Sequence, residues 1–144
     1  MPYSITSDCI GCTLCARNCP VLAIDGALKA QHKINIRRCV SCGVCGRVCQ
    51  KGAVLDGHGV RCTPVPRGEW EKPVVDRTLC TACAMCVSVC RAEALKIAPP
   101  SYHGDIHVYA VLDAPKKCVS CGLCARECPL HAITMQHVAE EAVQ

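Results

Sequence analysis

The chain has no phenylalanine, one tryptophan and three tyrosines among its 144 residues. Aromatic rings supply much of the buried area in domain interiors, so an ordinary oil-filled core is not expected. Long apolar runs are also missing. The longest stretch free of Asp, Glu, Lys and Arg is 78–90, which holds four cysteines and falls well short of the roughly 20 residues that cross a bilayer. No membrane span is expected. Residues 1–8 offer neither the basic nor the apolar region of a secretory leader. There is no run of clustered Lys or Arg interleaved with aromatics, which argues against a nucleic-acid partner. Dinucleotide G-x-G-x-x-G, P-loop and H-E-x-x-H patterns are absent too.

What the chain has is sulfur. Its 17 cysteines are about 12% of the residues, past the roughly 8–10% at which cysteine usage alone identifies a class. The 51% hydrophobic content counts them, and without them it falls to roughly 39%, below the usual apolar share. So thin a core needs a staple, either disulfides or metal. Disulfides require an oxidising compartment and usually an even count. The odd count and the missing leader point instead to cytoplasmic thiols that serve as metal ligands.

The thiols repeat. Cys9, Cys12, Cys15 and Cys19 form a C-x2-C-x2-C-x3-C run. The same run recurs as Cys39, Cys42, Cys45 and Cys49, as Cys80, Cys83, Cys86 and Cys90, and as Cys118, Cys121, Cys124 and Cys128. Four residues after each fourth cysteine come an alanine and an aliphatic: Ala23-Ile24, Ala53-Val54, Ala94-Leu95 and Ala132-Ile133. The repeating unit is therefore longer than its cysteines. The widest gap between motifs lies in the middle and is rich in Gly and Pro between Asp56 and Pro73, a linker or loop composition. This predicts a first module at 1–62, a linker at 63–73, and a second module at 74–144 that ends in a short tail from Val138. Brief strands are expected at 3–6, 33–36, 74–76 and 106–112. The segment from each third to fourth cysteine is long enough for one or two helical turns.

Two cysteines three apart set two sulfurs on one side of a tight loop. A third, three further on, lets one loop wrap three corners of a cube, and the fourth corner must come from elsewhere. Zinc sites, by contrast, are commonly built from separated C-x2-C pairs. With these motifs the chain resembles two bacterial-type two-cluster ferredoxins in tandem. The resemblance covers nearly everything except the linker and tail. It implies an α+β fold: two tandem ferredoxin-like modules, with short strands and short helices around [4Fe-4S] clusters. In that family the fourth cysteine starts a short helix and ligates the other cluster of its pair. Carried over, cluster one takes Cys9, Cys12, Cys15 and Cys49, and cluster two takes Cys39, Cys42, Cys45 and Cys19. Cluster three takes Cys80, Cys83, Cys86 and Cys128, and cluster four takes Cys118, Cys121, Cys124 and Cys90. A nested arrangement, first motif with fourth and second with third, occurs in some four-cluster subunits. The short gap after Cys19 favours sequential pairing.

Departures from the pattern are few. Gln50 and Arg91 stand where the first and fourth motifs have Pro20 and Pro129, and the third motif has no internal glycine. The backbone N–H restored at 50 and 91 is expected to tune nearby potentials. The formal charge of +4 treats cysteine as neutral. Four oxidised cubanes at about −2 each would bring the total to roughly −4. Cys62 fits no cluster and reads as a free thiol. Trp70 reads as packing between the modules. His32, His58, His103, His107, His131 and His137 lack ligand spacing and read as surface or strand residues.

Every motif offers four cysteines, so no iron is left open to a substrate, and about 36 residues per cluster leave little for a pocket. The expected role is electron carriage without catalysis. By resemblance, polyferredoxin-like subunits accompany hydrogenases, formate dehydrogenases, benzoyl-CoA reductases and tungsten aldehyde oxidoreductases. The expected partners are a catalytic oxidoreductase subunit and a second redox partner, such as a ferredoxin or a flavin or NAD subunit. Copies of the chain stacked head to tail would extend the relay. A free-standing polyferredoxin shuttle is the alternative.

Overall fold

The computed structural model describes residues 2–138. The expected tail from 139 onward lies outside them. The chain divides into two compact units, the first ending at Arg67 and the second starting at Gly68, and each is built the same way.

In the first unit, β1 (Ser4–Ile5) pairs antiparallel with β4 (Val54–Leu55), and β2 (Ile24–Asp25) pairs with β3 (Lys33–Ile34). Two five-residue helices, α1 (Leu14–Asn18) and α2 (Val44–Val48), pack on each other. The second unit repeats this plan with longer strands. There β5 (Lys72–Val75) pairs with β8 (Ile133–Gln136), β6 (Leu95–Ile97) pairs with β7 (Ala110–Leu112), and α3 (Met85–Val89) packs on α4 (Leu123–Glu127). In each unit the first and last strands close the structure and a hairpin occupies the middle.

Isolated two-stranded ribbons and five-residue helices are marginal in water, so packing has to hold them. The packing centres on the thiols. In the second unit, Cys86 and Cys124 share one buried cluster with Ala94, Leu95, Ala110, Leu112 and Ile133. The Ala-aliphatic pair after each fourth cysteine is buried throughout, as Ala23-Ile24, Ala53-Val54, Ala94-Leu95 and Ala132-Ile133. Those pairs lie in or next to β2, β4, β6 and β8, four strands that sequence patterning does not reveal. Runs of two to four residues are too short to display an alternation.

Two further expectations, on the helices and on His32, are corrected. Each helix begins one residue before the third cysteine and stops before the fourth, which caps its C-terminus in an extended conformation; the fourth cysteine ends the helix rather than starting it. The stretch 63–73, expected as a linker, includes short regular elements. Cys62 N–H donates to the Val54 carbonyl at 2.8 Å and Val65 N–H to the Arg47 carbonyl at 3.0 Å. Arg67–Glu69 forms a 3-10 turn, and Lys72 opens β5. Trp70 is buried, with the Lys72 ammonium 5.9 Å from its ring centroid. His32, expected at the surface or in a strand, is fully buried and immediately precedes β3.

Candidate metal centres

Each motif turns its chain with three left-handed residues: one on either side of the second cysteine and one three positions past the fourth. They are Gly11, Thr13 and Leu22; Ser41, Gly43 and Gly52; Ala82, Ala84 and Glu93; and Ser120, Gly122 and His131. The reversals around the second cysteine swing three sulfurs to one side of the loop. A non-glycine residue in this conformation costs roughly 1–2 kcal/mol, yet the third motif adopts the same backbone with no glycine at all. Gly11 is held by space as well as by φ. A Cβ there would sit 2.3 Å from the backbone nitrogen of Ala30.

None of the seventeen cysteines is joined in a disulfide. Cys9, Cys12 and Cys15 line one apolar cavity of about 240 Å³ together with Cys49 from the second motif. Cys39, Cys42 and Cys45 line a smaller cavity together with Cys19 from the first. The electrostatics trace the same sets. Burial pushes the Cys15 thiol up to about 11, and Cys9, Cys12 and Cys49 press in the same direction. Burial raises Cys42, with Cys19 and Cys39 adding to the rise. In the second unit burial raises Cys86, reinforced by Cys80, Cys83 and Cys128. Burial also takes Cys124 up to about 12, with Cys121, Cys118 and Cys90 alongside. The structure therefore gathers three cysteines of one motif with the fourth of its sequential neighbour, four times over. Cys45, raised by burial to about 12, also feels Cys15, so the two sets of the first unit adjoin.

Buried thiols with pKa values this high are poor places for bare negative charge. They suit a metal cluster that takes the sulfurs as thiolates and supplies the compensating cation. Backbone donors complete the fit. The fourth sulfur of every motif accepts an N–H from the alanine four residues on: Ala23 to Cys19 at 3.2 Å, Ala53 to Cys49 at 3.3 Å, Ala94 to Cys90 at 3.4 Å and Ala132 to Cys128 at 3.4 Å. The contact is alike whether proline, Gln50 or Arg91 follows the cysteine, so it does not depend on that position. The sequence displays these alanines without assigning them a role. Their fixed spacing after the cysteine is the available signal. Cys62 lines neither of the first unit's two cavities, although its thiol, raised by burial and by Asp56, also feels Cys49. Its sulfur lies against Gly46 of α2, where a Cβ on the glycine would come within 2.7 Å.

Residues 8–53 and 79–132 match the model of the 4Fe-4S dicluster domain. The chain belongs to the 4Fe-4S dicluster domain family. It is similar to a ferredoxin-like protein in the nif region of Trichormus variabilis, 39% identical over 49% of this chain and 61% of that protein. It is also similar to a polyferredoxin protein of Methanothermus fervidus, 32% identical over 67% of this chain and 20% of the other. A third relative is the delta subunit of an NADH-dependent phenylglyoxylate dehydrogenase from Aromatoleum evansii, 32% identical over 46% of this chain and 64% of that subunit. Among solved structures, a chain of the formate dehydrogenase, heterodisulfide reductase and formylmethanofuran dehydrogenase complex of Methanospirillum hungatei aligns at 21% identity. Its TM-score is 0.35, covering 89% of this chain and 52% of that one. The chain thus spans about three fifths of the ferredoxin-like relative. The match falls once in each unit, so the chain carries the 4Fe-4S dicluster domain in tandem. Among the described residues no helix is long and apolar enough to cross a membrane.

Proposed function

We propose that this dicluster ferredoxin carries four [4Fe-4S] clusters on the sixteen motif cysteines in the sequential sets given above. In this reading it relays single electrons as the non-catalytic subunit of a larger oxidoreductase. The observation that carries the reading is the gathering of each fourth cysteine with the three loop cysteines of its neighbouring motif, in both units. Bound there, [4Fe-4S] groups supply one-electron chemistry. The protein's part is to fix the sulfurs, donate N–H groups to them and exclude water.

Cys12 and Cys83 are exposed, whereas Cys15, Cys45, Cys86 and Cys124 are buried. The loops of the first and third motifs therefore offer the shortest routes for electrons between the interior and a docked protein. In this reading one partner is a catalytic subunit and the other a ferredoxin or a flavin or NAD subunit. In this reading the catalytic partner is a metalloenzyme such as a tungsten aldehyde oxidoreductase. A cytoplasmic, reducing setting suits sixteen ligating thiols.

The test is anaerobic purification from the native cells in gentle salt, followed by native mass and by iron and sulfide analysis. The expected result is a large assembly with a metalloenzyme subunit, and about sixteen irons and sixteen sulfides for each copy of this chain, four per cubane. A lone 15.4 kDa chain with full iron would replace the subunit reading with a free shuttle. Iron near half that value would overturn the four-cluster reading.

A further inference from the structure

His32 is the largest side chain buried to completion in the molecule's described residues. Its Nδ1 lies 3.0 Å from the Ala30 carbonyl, while its buried Nε2 has no hydrogen-bond partner. Leaving such a group unpaired inside a protein is costly. The ring lines the same cavity as Cys9, Cys12, Cys15 and Cys49. Its Cγ–Cδ2 edge is packed against Gly26, where an added Cβ would come within 2.6 Å.

The second unit provides the comparison. Continuing the β2–β3 register by one pair sets Gly26 opposite His32, and the matching pair in β6–β7 is Ile97 opposite Ala110. One unit pairs a large residue with a small one, and the other reverses the order. In the second unit, Ala110 N–H donates to the Cys80 sulfur at 3.4 Å. At the corresponding place in the first unit, the strand presents an imidazole and its partner strand gives up a side chain to admit it.

We propose that His32 donates a hydrogen bond from Nε2 to the cluster bound by Cys9, Cys12, Cys15 and Cys49, and so makes that cluster easier to reduce. This rests on the cluster assignment proposed above. Cluster and thiolate sulfurs are acceptors only, so the proton of the contact belongs to Nε2. A hydrogen bond to the cluster's sulfur favours the more negative, reduced cluster. His32 is a tuning residue that needs no place in the ligand set.

The experiment is a redox titration of the intact, cluster-loaded chain followed by electron paramagnetic resonance, for wild type, His32→Leu and His32→Gln. At the potential where this cluster is half reduced in wild type, His32→Leu is expected to lower its reduced-to-oxidised ratio at least tenfold. That is a shift of about 59 mV for one electron. The other steps stay in place, and Gln, which keeps a donor of similar reach, recovers part of the shift. Because a variant can fail to load, pulsed resonance on wild type labelled with 15N-histidine gives a second reading. Coupling of a histidine nitrogen to a reduced cluster is expected. Unchanged steps with full iron in His32→Leu, or no nitrogen coupling in wild type, overturns the proposal. Iron missing from the first unit of wild type overturns the cluster assignment and the role of His32 with it.

Discussion

Twelve residues hold the left-handed turns of the four motifs, and only Gly11, Gly43, Gly52 and Gly122 among them are glycines. Their substitutions should separate two physical effects. A Cβ added at Gly122 would have nothing within 4 Å, so Gly122→Ala carries only the left-handed penalty of roughly 1–2 kcal/mol. Gly11→Ala would in addition drive a methyl into the backbone at Ala30. It is expected to lower the anaerobic melting midpoint of the loaded protein by clearly more than Gly122→Ala does. The reverse change, Ala84→Gly, removes strain at φ 64° and loosens the unfolded chain. Subtracting an entropy cost of about 0.4–1 kcal/mol from the strain of about 1–2 kcal/mol leaves a gain of about 0–1.6 kcal/mol. A lower midpoint for Ala84→Gly would mean that the third motif carries no strain at this position. Cys62 is tested at the same scale. Cys62→Ala should leave iron content at the wild-type level, because the thiol packs on Gly46 rather than joining a set of four. Loss of iron would make it a ligand.

At the scale of elements, the grouping of the motif cysteines was legible in the sequence and the secondary structure was only partly so. Cysteine spacing is a covalent feature that survives without context, and it repeats four times. The strands Ile24–Asp25 and Val54–Leu55 have no period to read, because two residues make none. They exist because Ala23 and Ala53 must reach back to the sulfurs of Cys19 and Cys49. His32 left no signal either, since one histidine without a repeat looks like any other until its neighbours are known. Each helix joins its own motif to the opposite set of thiols through the cysteine at its C-terminus. Cys49→Ser, at the end of α2, is therefore expected to damage the cluster held by Cys9, Cys12 and Cys15, and to spare the one held by Cys39, Cys42 and Cys45. Resonance spectra of the reduced variant, compared with those of Cys9→Ser, check this. Matching losses support cross-ligation, and a match to Cys39→Ser would indicate ligation within one motif.

For the whole molecule, the thiols take the place of the missing aromatic core, so the fold and the metal should stand or fall together. In a metal-free chain that kept this fold, burial would hold protons on the sulfurs of Cys15, Cys45 and Cys124 until about pH 11 to 12. Circular dichroism after anaerobic chelation is expected to show loss of ordered structure; retained strand signal with sharp near-ultraviolet bands would refute this. The protons set the direction of the pH effect. Burial raises these thiols above their ordinary value of 9.0, so in the metal-free fold they favour stability below that value and withdraw it as pH rises toward their folded values. Cluster binding needs the thiolates and must displace those protons, which reverses the dependence: acid favours the metal-free side. Chelator stripping followed by cluster absorbance should therefore run further at pH 6 than at pH 8. Equal loss at both would mean that protonation of the buried sulfurs does not limit release, and that the clusters leave by another route, such as the exposed sulfurs of Cys12 and Cys83.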